Sequence, residues 1–426
     1  MEIHSKQFTI PTSLLNLSGL SSYFQHQQTF PLRFSVISSN PGTTEIDVDM
    51  LYGADGYHGH FSNIFGIHER TYEDISSFNV ALVIPTGVGA EIGGHCGDGN
   101  VVARLIGSAC DNLLTHPNVV NASDINEMPD NCLYVEGSTL SRVLLGQIGL
   151  QKVRSNRILI IMDKHEDEYL NNEVVNAVSS ARVTLGIDCD VIQMDPIIQT
   201  KLEYTSSGRA AGSIQNLERI LDLVESVKGR YDAIGLSGKI ESPLSCYADY
   251  MTSNHNDVNP YGGIEAMLTH SLSIIFDLPF AHSPMEYHSE YITGNFGIVD
   301  PRKAPETASI TYLHCILKGL ARSPELIHSK DGITASNISC LIQPASCIGI
   351  PTLAALRQDI PIIAVKNKTV FQNDISSLYK DARIITAENY FEAVGYLHAL
   401  RAGISANSLT RPIKQTVFIK KEDNSK

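Results

Sequence analysis

The sequence has no window that approaches the roughly 18 apolar residues a membrane-spanning helix needs. Its opening, MEIHSKQFTIPTSLL, carries an early Glu2 and lacks a basic flank before an apolar core, so it does not read as a secretory signal. Basic charge is scarce: 32 Lys and Arg stand against 46 Asp and Glu, a net charge of −14, and no basic run stands out before Lys420 and Lys421. That balance gives no electrostatic case for nucleic acid or an anionic membrane as a partner. The eight cysteines form no Cys-x-x-Cys pair, and Cys110, Cys189, Cys315 and Cys340 lie in or beside apolar runs. Buried, reduced thiols in a cytoplasmic protein are the expectation. A Walker phosphate loop is also missing.

What is there is a chain of 426 residues, 43% hydrophobic and 18% charged, long enough for two or three domains. Residues 1–78 alternate apolar and polar positions at 32–36 and 44–49 around the turn Asn40-Pro41-Gly42, as β-strands do. From residue 79 buried strands are expected at 80–84, 157–162, 189–194, 231–236, 273–277, 339–343, 361–365 and 383–386. Helix-like segments lie between them, among others at 100–109, 138–147, 171–186, 213–228, 303–321, 351–357 and 388–402. This alternation predicts an α/β fold, with a doubly wound, mainly parallel sheet in each of two Rossmann-like lobes. The expected division is a small β-rich N-terminal module (1–78), one lobe at 79–240, a second at 241–412, and a tail at 413–426.

Chemistry is expected first in the glycine-rich turn Pro85-Thr86-Gly87-Val88-Gly89-Ala90-Glu91-Ile92-Gly93-Gly94-His95-Cys96-Gly97-Asp98, directly after an apolar strand. Closely spaced glycines (Gly87, Gly89, Gly94) let backbone N–H groups approach a ligand. The third glycine comes one position too late for a dinucleotide fingerprint, and the next helix is expected only near Asn100, which argues against NAD. A second polar loop follows: His116, Asn118, Asn121, Ser123, Asp124, Asn126 and Glu127. A histidine side chain such as His116 ordinarily titrates near neutrality, and the amides can fix a polar substrate, although Asx turns and a helix cap at Ser123 or Asp124 would use the same residues. A divalent metal is conceivable on His58, His60, His95 and His116, with Cys96 and Asp98 near, but the spacing is not diagnostic. The Ser207-Gly208-Arg209 loop, running to Ser213 before an amphipathic segment, suits an anion at a helix N-terminus. Arg302 is a candidate carboxylate clamp, and His282, Glu286 and Asp300 are candidates for a cleft between lobes. Lys239 and Glu241 at a strand end, and Cys347 before the helix at Pro351, read more simply as surface and structural residues.

The motifs IPTGVGAEIGGHCGD, LTHPNVVNASDINEMPDN, YVEGS, VDPRKAPE and GIPTLAAL together resemble a protein family described as domain of unknown function 3326, over about residues 79–370. The resemblance implies no particular reaction, cofactor or catalytic residue, and it leaves the first 78 residues outside.

These features lead to the expectation of an enzyme that acts on a small carboxylate or amino-acid-like metabolite by acid/base chemistry, of isomerase or lyase type. His95 and His116 are the expected acid/base pair, with Asp98 and Asp124 orienting them, and the Ser207–Ser213 loop and Arg302 holding an anionic group. A metal-dependent enzyme and a non-catalytic metabolite-binding regulator are the alternatives. The expected partner is a small molecule, with a homo-oligomer left open.

Overall fold

A computed structural model of the chain describes residues 1–25, 29–57, 64–123, 125–195, 198–242, 249–253, 258–285, 297–307, 312–328 and 331–419. The N-terminal strands β1 (Glu2–Pro11), β2 (Phe30–Asn40) and β3 (Thr43–Tyr52) are antiparallel, and β2 turns into β3 at the expected Pro41-Gly42. One face packs Phe34, Val36, Ile46 and Val48 into the core. The other face is also buried, yet it carries charge: Arg33 stands opposite Asp49, and Ser35 opposite Asp47.

Parallel structure begins at β4 (Asn79–Leu82), followed by β5 (Asn112–Thr115), a two-residue hairpin of β6 (Asn121–Ala122) and β7 (Ile125–Asn126), and β8 (Cys132–Tyr134). After the short β9 (Gly149–Gln151), a second parallel sheet starts with β10 (Arg157–Asp163) and β11 (Asp188–Met194), joined by the helix Glu168–Leu185. The chain then returns to the N-terminal sheet with β12 (Gln199–Tyr204) and β13 (Ala210–Gln215), and back to the second sheet with β14 (Ala233–Gly238) and β15 (Phe280–Pro284). A short β16 (Glu325–Ile327) pairs β9, and β17 (Ile338–Pro344), β18 (Ile362–Val365) and β19 (Ile384–Ala387) complete the first parallel sheet.

The fold is therefore mixed α/β; among the described residues its three larger sheets, two parallel and one antiparallel, are ordered β19-β18-β17-β4-β5-β8, β11-β10-β14-β15 and β12-β13-β1-β3-β2, and β6/β7 and β9/β16 form two-stranded antiparallel pairs. The sheets do not divide the chain at residue 240. The six-stranded sheet takes three strands from 79–134 and three from 338–387, and the antiparallel sheet borrows 199–215. Three expected elements also change. Of the helix expected at 303–321, only Leu313–Ala321 is α-helix among the described residues, after a 3-10 turn at Ala304–Thr307. Residues 273–277 are the end of the helix Gly262–Phe276, and the strand comes just after, at 280–284. That helix is buried on nearly every side, so its apolar residues show no helical period. Residues 213–215 are strand, and the helix there starts only at Glu218.

The order matters for function. From β4 the chain moves outward to β5 and β8, then re-enters on the other side of β4 as β17. Loops leave the carboxyl ends of β4 and β17 in opposite directions, opening a crevice at this switch point. The second parallel sheet has its own reversal between β10 and β14.

Candidate active site

A cavity of about 220 Å³ opens at the switch point, and its lining includes Val83 and Pro85 after β4 and Gln343 in β17. His116 and Pro117 enter it after β5, and Glu136 after β8. The helix Gly262–Phe276 forms the opposite wall with Glu265, Thr269 and His270, and β15 adds His282 and Ser283. Helices Gly137–Leu144 and Ile350–Arg357 start at its edge, so their positive dipole ends face the space.

Glu136 is the centre of the polar end. It is 3% exposed and caps the helix Gly137–Leu144, accepting hydrogen bonds from the backbone N–H of Ser138 at 2.8 Å and of Thr139 at 3.1 Å. The Ser138 hydroxyl donates to the same oxygen, and the Thr139 hydroxyl meets that of Ser273 at 2.8 Å, fixing this helix to the helix Gly262–Phe276. The other Glu136 oxygen lies 2.5 Å from His270 Nδ1. The two groups are in ion-pair contact, but the ring nitrogen makes no aligned hydrogen bond. Burial alone would push Glu136 up; His270 and the hydrogen bonds outweigh it and hold the carboxyl below its usual range. Gly137 makes this contact sterically feasible, since a Cβ there would sit 2.9 Å from His270 Cε1.

His116 stands beside this pair. Burial, reinforced by His270, pushes its imidazole down to about 4, so it is neutral at pH 7. Its Nε2 accepts the Ile84 backbone N–H at 3.2 Å. A neutral ring that accepts at Nε2 carries its proton on Nδ1. The arrangement thus joins a carboxylate–imidazole pair to a neutral imidazole in a water-poor wall, a set suited to moving a proton on and off a bound molecule.

The glycine-rich turn forms a neighbouring wall. His95 is buried, and its Nδ1 donates to the Tyr250 hydroxyl at 2.9 Å, which donates to Glu306 at 2.7 Å. Glu306 also accepts from Cys96 N–H at 3.2 Å and from Asn259 at 3.0 Å. Cys96, Asn259 and Glu306 line the cavity, whereas His95 stands behind them. Burial pushes the Cys96 thiol well above its usual range, which rules it out as a ready thiolate. The Asp98 carboxyl is pushed up to about 7 by burial, and one of its oxygens has no hydrogen-bond partner.

Of the residues expected from the sequence, Cys96, His116, Asn118, Asn121, Ser123 and His282 line the cavity. Asn118 also braces the turn, donating to Ile84 O at 3.1 Å and to Gly93 O at 2.7 Å. Asn126 is tied to Cys315 O at 3.2 Å, and Glu127 is exposed. Gly87, Gly89 and Gly94 serve close packing: their Cβ positions would meet Ala210 O, Val370 and Ala90 O at 2.6 Å or less. Arg302 is taken up by Asp300, through Nε at 3.1 Å and Nη2 at 2.8 Å. The Ser207–Ser213 segment is a hairpin turn running into β13, not the entry to a helix, so Ser213 caps nothing. Arg209 is fully buried there, held by Asp47 at 3.1 Å and Asp49 at 2.6 Å, with Ser207 and Gly208 in the turn before it. His58, His60, Asp124 and Glu286 lie outside the described residues. Among the described residues no three His, Cys, Asp or Glu side chains converge as metal ligands.

Glu136 and His270 were not singled out from the sequence. A carboxylate two residues past a buried strand and just before the expected helix was one available sign, and a His inside the apolar run Met267–Ile275 was the other. A third parallel-strand end carries polar groups as well. Asp163 closes β10 beside Gly238, is 5% exposed, is pushed up to about 7 by burial, and has one unpartnered oxygen.

Comparison with known proteins then fixes the relationship. The profile of the family described as "Protein of unknown function (DUF3326)" matches residues 79–410. The chain belongs to that family. The match begins at β4 and takes in both parallel sheets, so the DUF3326 region holds Glu136, His270 and His116, while Arg33 and Ser35 of the cavity lie before it. A protein of Synechococcus sp. described as an uncharacterized lipoprotein is 29% identical over 342 residues, covering 78% of this chain and 94% of the relative. No solved structure matches. Among the described residues no helix is long and apolar enough to cross a membrane.

Proposed function

We propose that this DUF3326 protein is an enzyme that moves a proton on a small carboxylate metabolite, with isomerase- or lyase-type chemistry, in the cavity at the β4/β17 switch point. The observation that carries the reading is the buried Glu136–His270 contact of 2.5 Å beside neutral His116. Glu136 orients and polarises His270, His270 exchanges the proton with the substrate, and the Nδ1–H of His116 donates to the charge that develops. This replaces the His95/His116 pair suggested by sequence order, because His95 is engaged by Tyr250 behind the cavity wall.

A non-catalytic metabolite-binding protein is the second reading, supported by a lining that is mainly apolar. We also read the two parallel sheets as Rossmann-like lobes and the antiparallel sheet as a module that closes the cavity. The free cysteines support a reducing compartment such as the cytoplasm, the lipoprotein description of the relative supports the cell envelope, and fractionation with an antibody separates the two.

The test is a thermal-shift screen of small carboxylates, followed by product analysis of every stabilising compound. The enzyme reading requires that at least one is converted and that His270→Gln abolishes conversion while preserving the shift. Stabilisation by a compound recovered unchanged would establish the binding reading instead.

A further inference from the structure

The proposed chemistry leaves open what holds the substrate's charged group, and the N-terminal sheet supplies an answer from outside the DUF3326 region. Arg33 of β2 lines the cavity, and its side chain keeps 18% of its surface exposed. Its Nε donates to Asp49 at 3.0 Å and its Nη1 to Ser35 at 2.7 Å. Among the described residues Nη2 has no hydrogen-bond partner, so the Nη1/Nη2 end of the fork retains donors. Asp49 is shared: Arg209 donates to its other oxygen at 2.6 Å. Burial, followed by the Arg209 charge, weakens Arg33's hold on its proton, and an anion at the open end would relieve both.

Among the described residues no other cation in the lining offers itself in this way. Arg142 is drawn onto Asp277 at 2.6 Å, His116 is neutral, His282 faces Glu265 at 3.0 Å, and no lysine is among the lining residues described. The lining also includes apolar Leu140, Leu145, Ile274 and Ile348, and Leu140 and Ile274 stand about one helical turn on from Glu136 and His270 along the helices Gly137–Leu144 and Gly262–Phe276. Three carboxylates, Glu136, Glu265 and Glu306, also face this space, which disfavours a dianion such as a phosphate ester. One guanidinium end matches one carboxylate.

We propose that Arg33 anchors the carboxylate of a monocarboxylate ligand whose apolar body runs along Leu140 and Ile274 toward His270. The assignment rests on the proposed function for its location and deepens it by naming the substrate class and the residue that selects it.

The experiment is ligand-observed NMR and calorimetric titration of the full chain with aliphatic and aryl monocarboxylates of graded size, butanoate to 3-phenylpropanoate, each paired with its primary amide. The expected result is that wild type binds at least one acid about ten- to a hundredfold more tightly than its amide. Arg33→Met brings that acid to the level of the amide and leaves amide binding unchanged, while Arg33→Lys retains part of the preference. Thermal unfolding checks that each variant folds, and Arg33→Lys carries the test if Arg33→Met does not. Equal binding of acid and amide, a preference that survives both substitutions, or no binding of any acid up to millimolar concentration would overturn the assignment. His270→Gln keeps the preference under this account, so acids that bind through Arg33 but are never converted would refute the enzymatic reading and leave the anchor standing.

Discussion

His116 offers a quantitative test of the site through the pH dependence of folding. The imidazole is 8% exposed and is held down to about 4 from an ordinary value of 6.5. Between those two values the unfolded chain binds a proton that the folded chain refuses, so stability is lost as pH falls through this window. The gap of about 2.5 pH units at about 1.4 kcal/mol each amounts to about 3 kcal/mol of stability, fully present above pH 7 and lost by pH 4. Other groups titrate over the same range, so the informative quantity is a difference. His116→Gln removes the titration while most of the others cancel. Urea unfolding at pH 7.5, 6.0, 5.0 and 4.5 should show wild type losing about 3 kcal/mol relative to His116→Gln as the pH is lowered. A parallel imidazole NMR titration should find one histidine still neutral at pH 5. A flat difference, or a His116 resonance that titrates near 6.5, would refute the picture of a dry, neutral imidazole accepting the Ile84 N–H.

Three further outcomes are expected. Gly137→Ala trades a better helix former for a Cβ 2.9 Å from His270, so unfolding free energy should change by less than about 2 kcal/mol while ligand conversion falls at least tenfold; unchanged conversion would count against the Glu136–His270 contact. Asp163→Asn should show the opposite pH sign to His116: the folded state keeps a proton on Asp163 from 3.8 up to about 7, so its contribution is full below that window and lost above it. The variant should therefore gain on wild type between pH 4 and 8 by up to about 4 kcal/mol in urea unfolding, and no gain would refute the buried, protonated state. Asp49→Asn leaves Arg33 and Arg209 with Asp47 alone and should lower stability by about 3–5 kcal/mol in the same assay; a negligible loss would mean the cluster is not sealed.

The sequence made much of the scaffold legible. Seven of the eight expected strands from residue 79 onward appear, because parallel strands buried on both faces read as continuous apolar runs. The cavity's first wall was legible as well, since polar residues after β4 and β5 mark strand ends. What was hidden has a physical cause. His270 lies on a helix buried all round, which removes the periodicity that would have announced the helix and its polar side chains. Arg33 and Asp49 alternate with apolar residues exactly as an exposed strand face would, and only the packing of the helix Gly262–Phe276 over that face turns a surface pattern into a buried charge cluster. Sheet membership was hidden for the same kind of reason: pairing β4 with β17 joins residues more than 250 apart, and nothing local encodes that distance.

The central claim is that Glu136 and His270 move a proton on a ligand held in this cavity. The most direct measurement is deuterium incorporation from D2O into a carboxylate that the protein binds, followed by NMR at every carbon-bound hydrogen of the ligand. The account predicts exchange with wild type, loss of exchange in His270→Gln and Glu136→Gln, and binding retained in His270→Gln. Bound carboxylates that never exchange, or exchange that persists without His270, would contradict it.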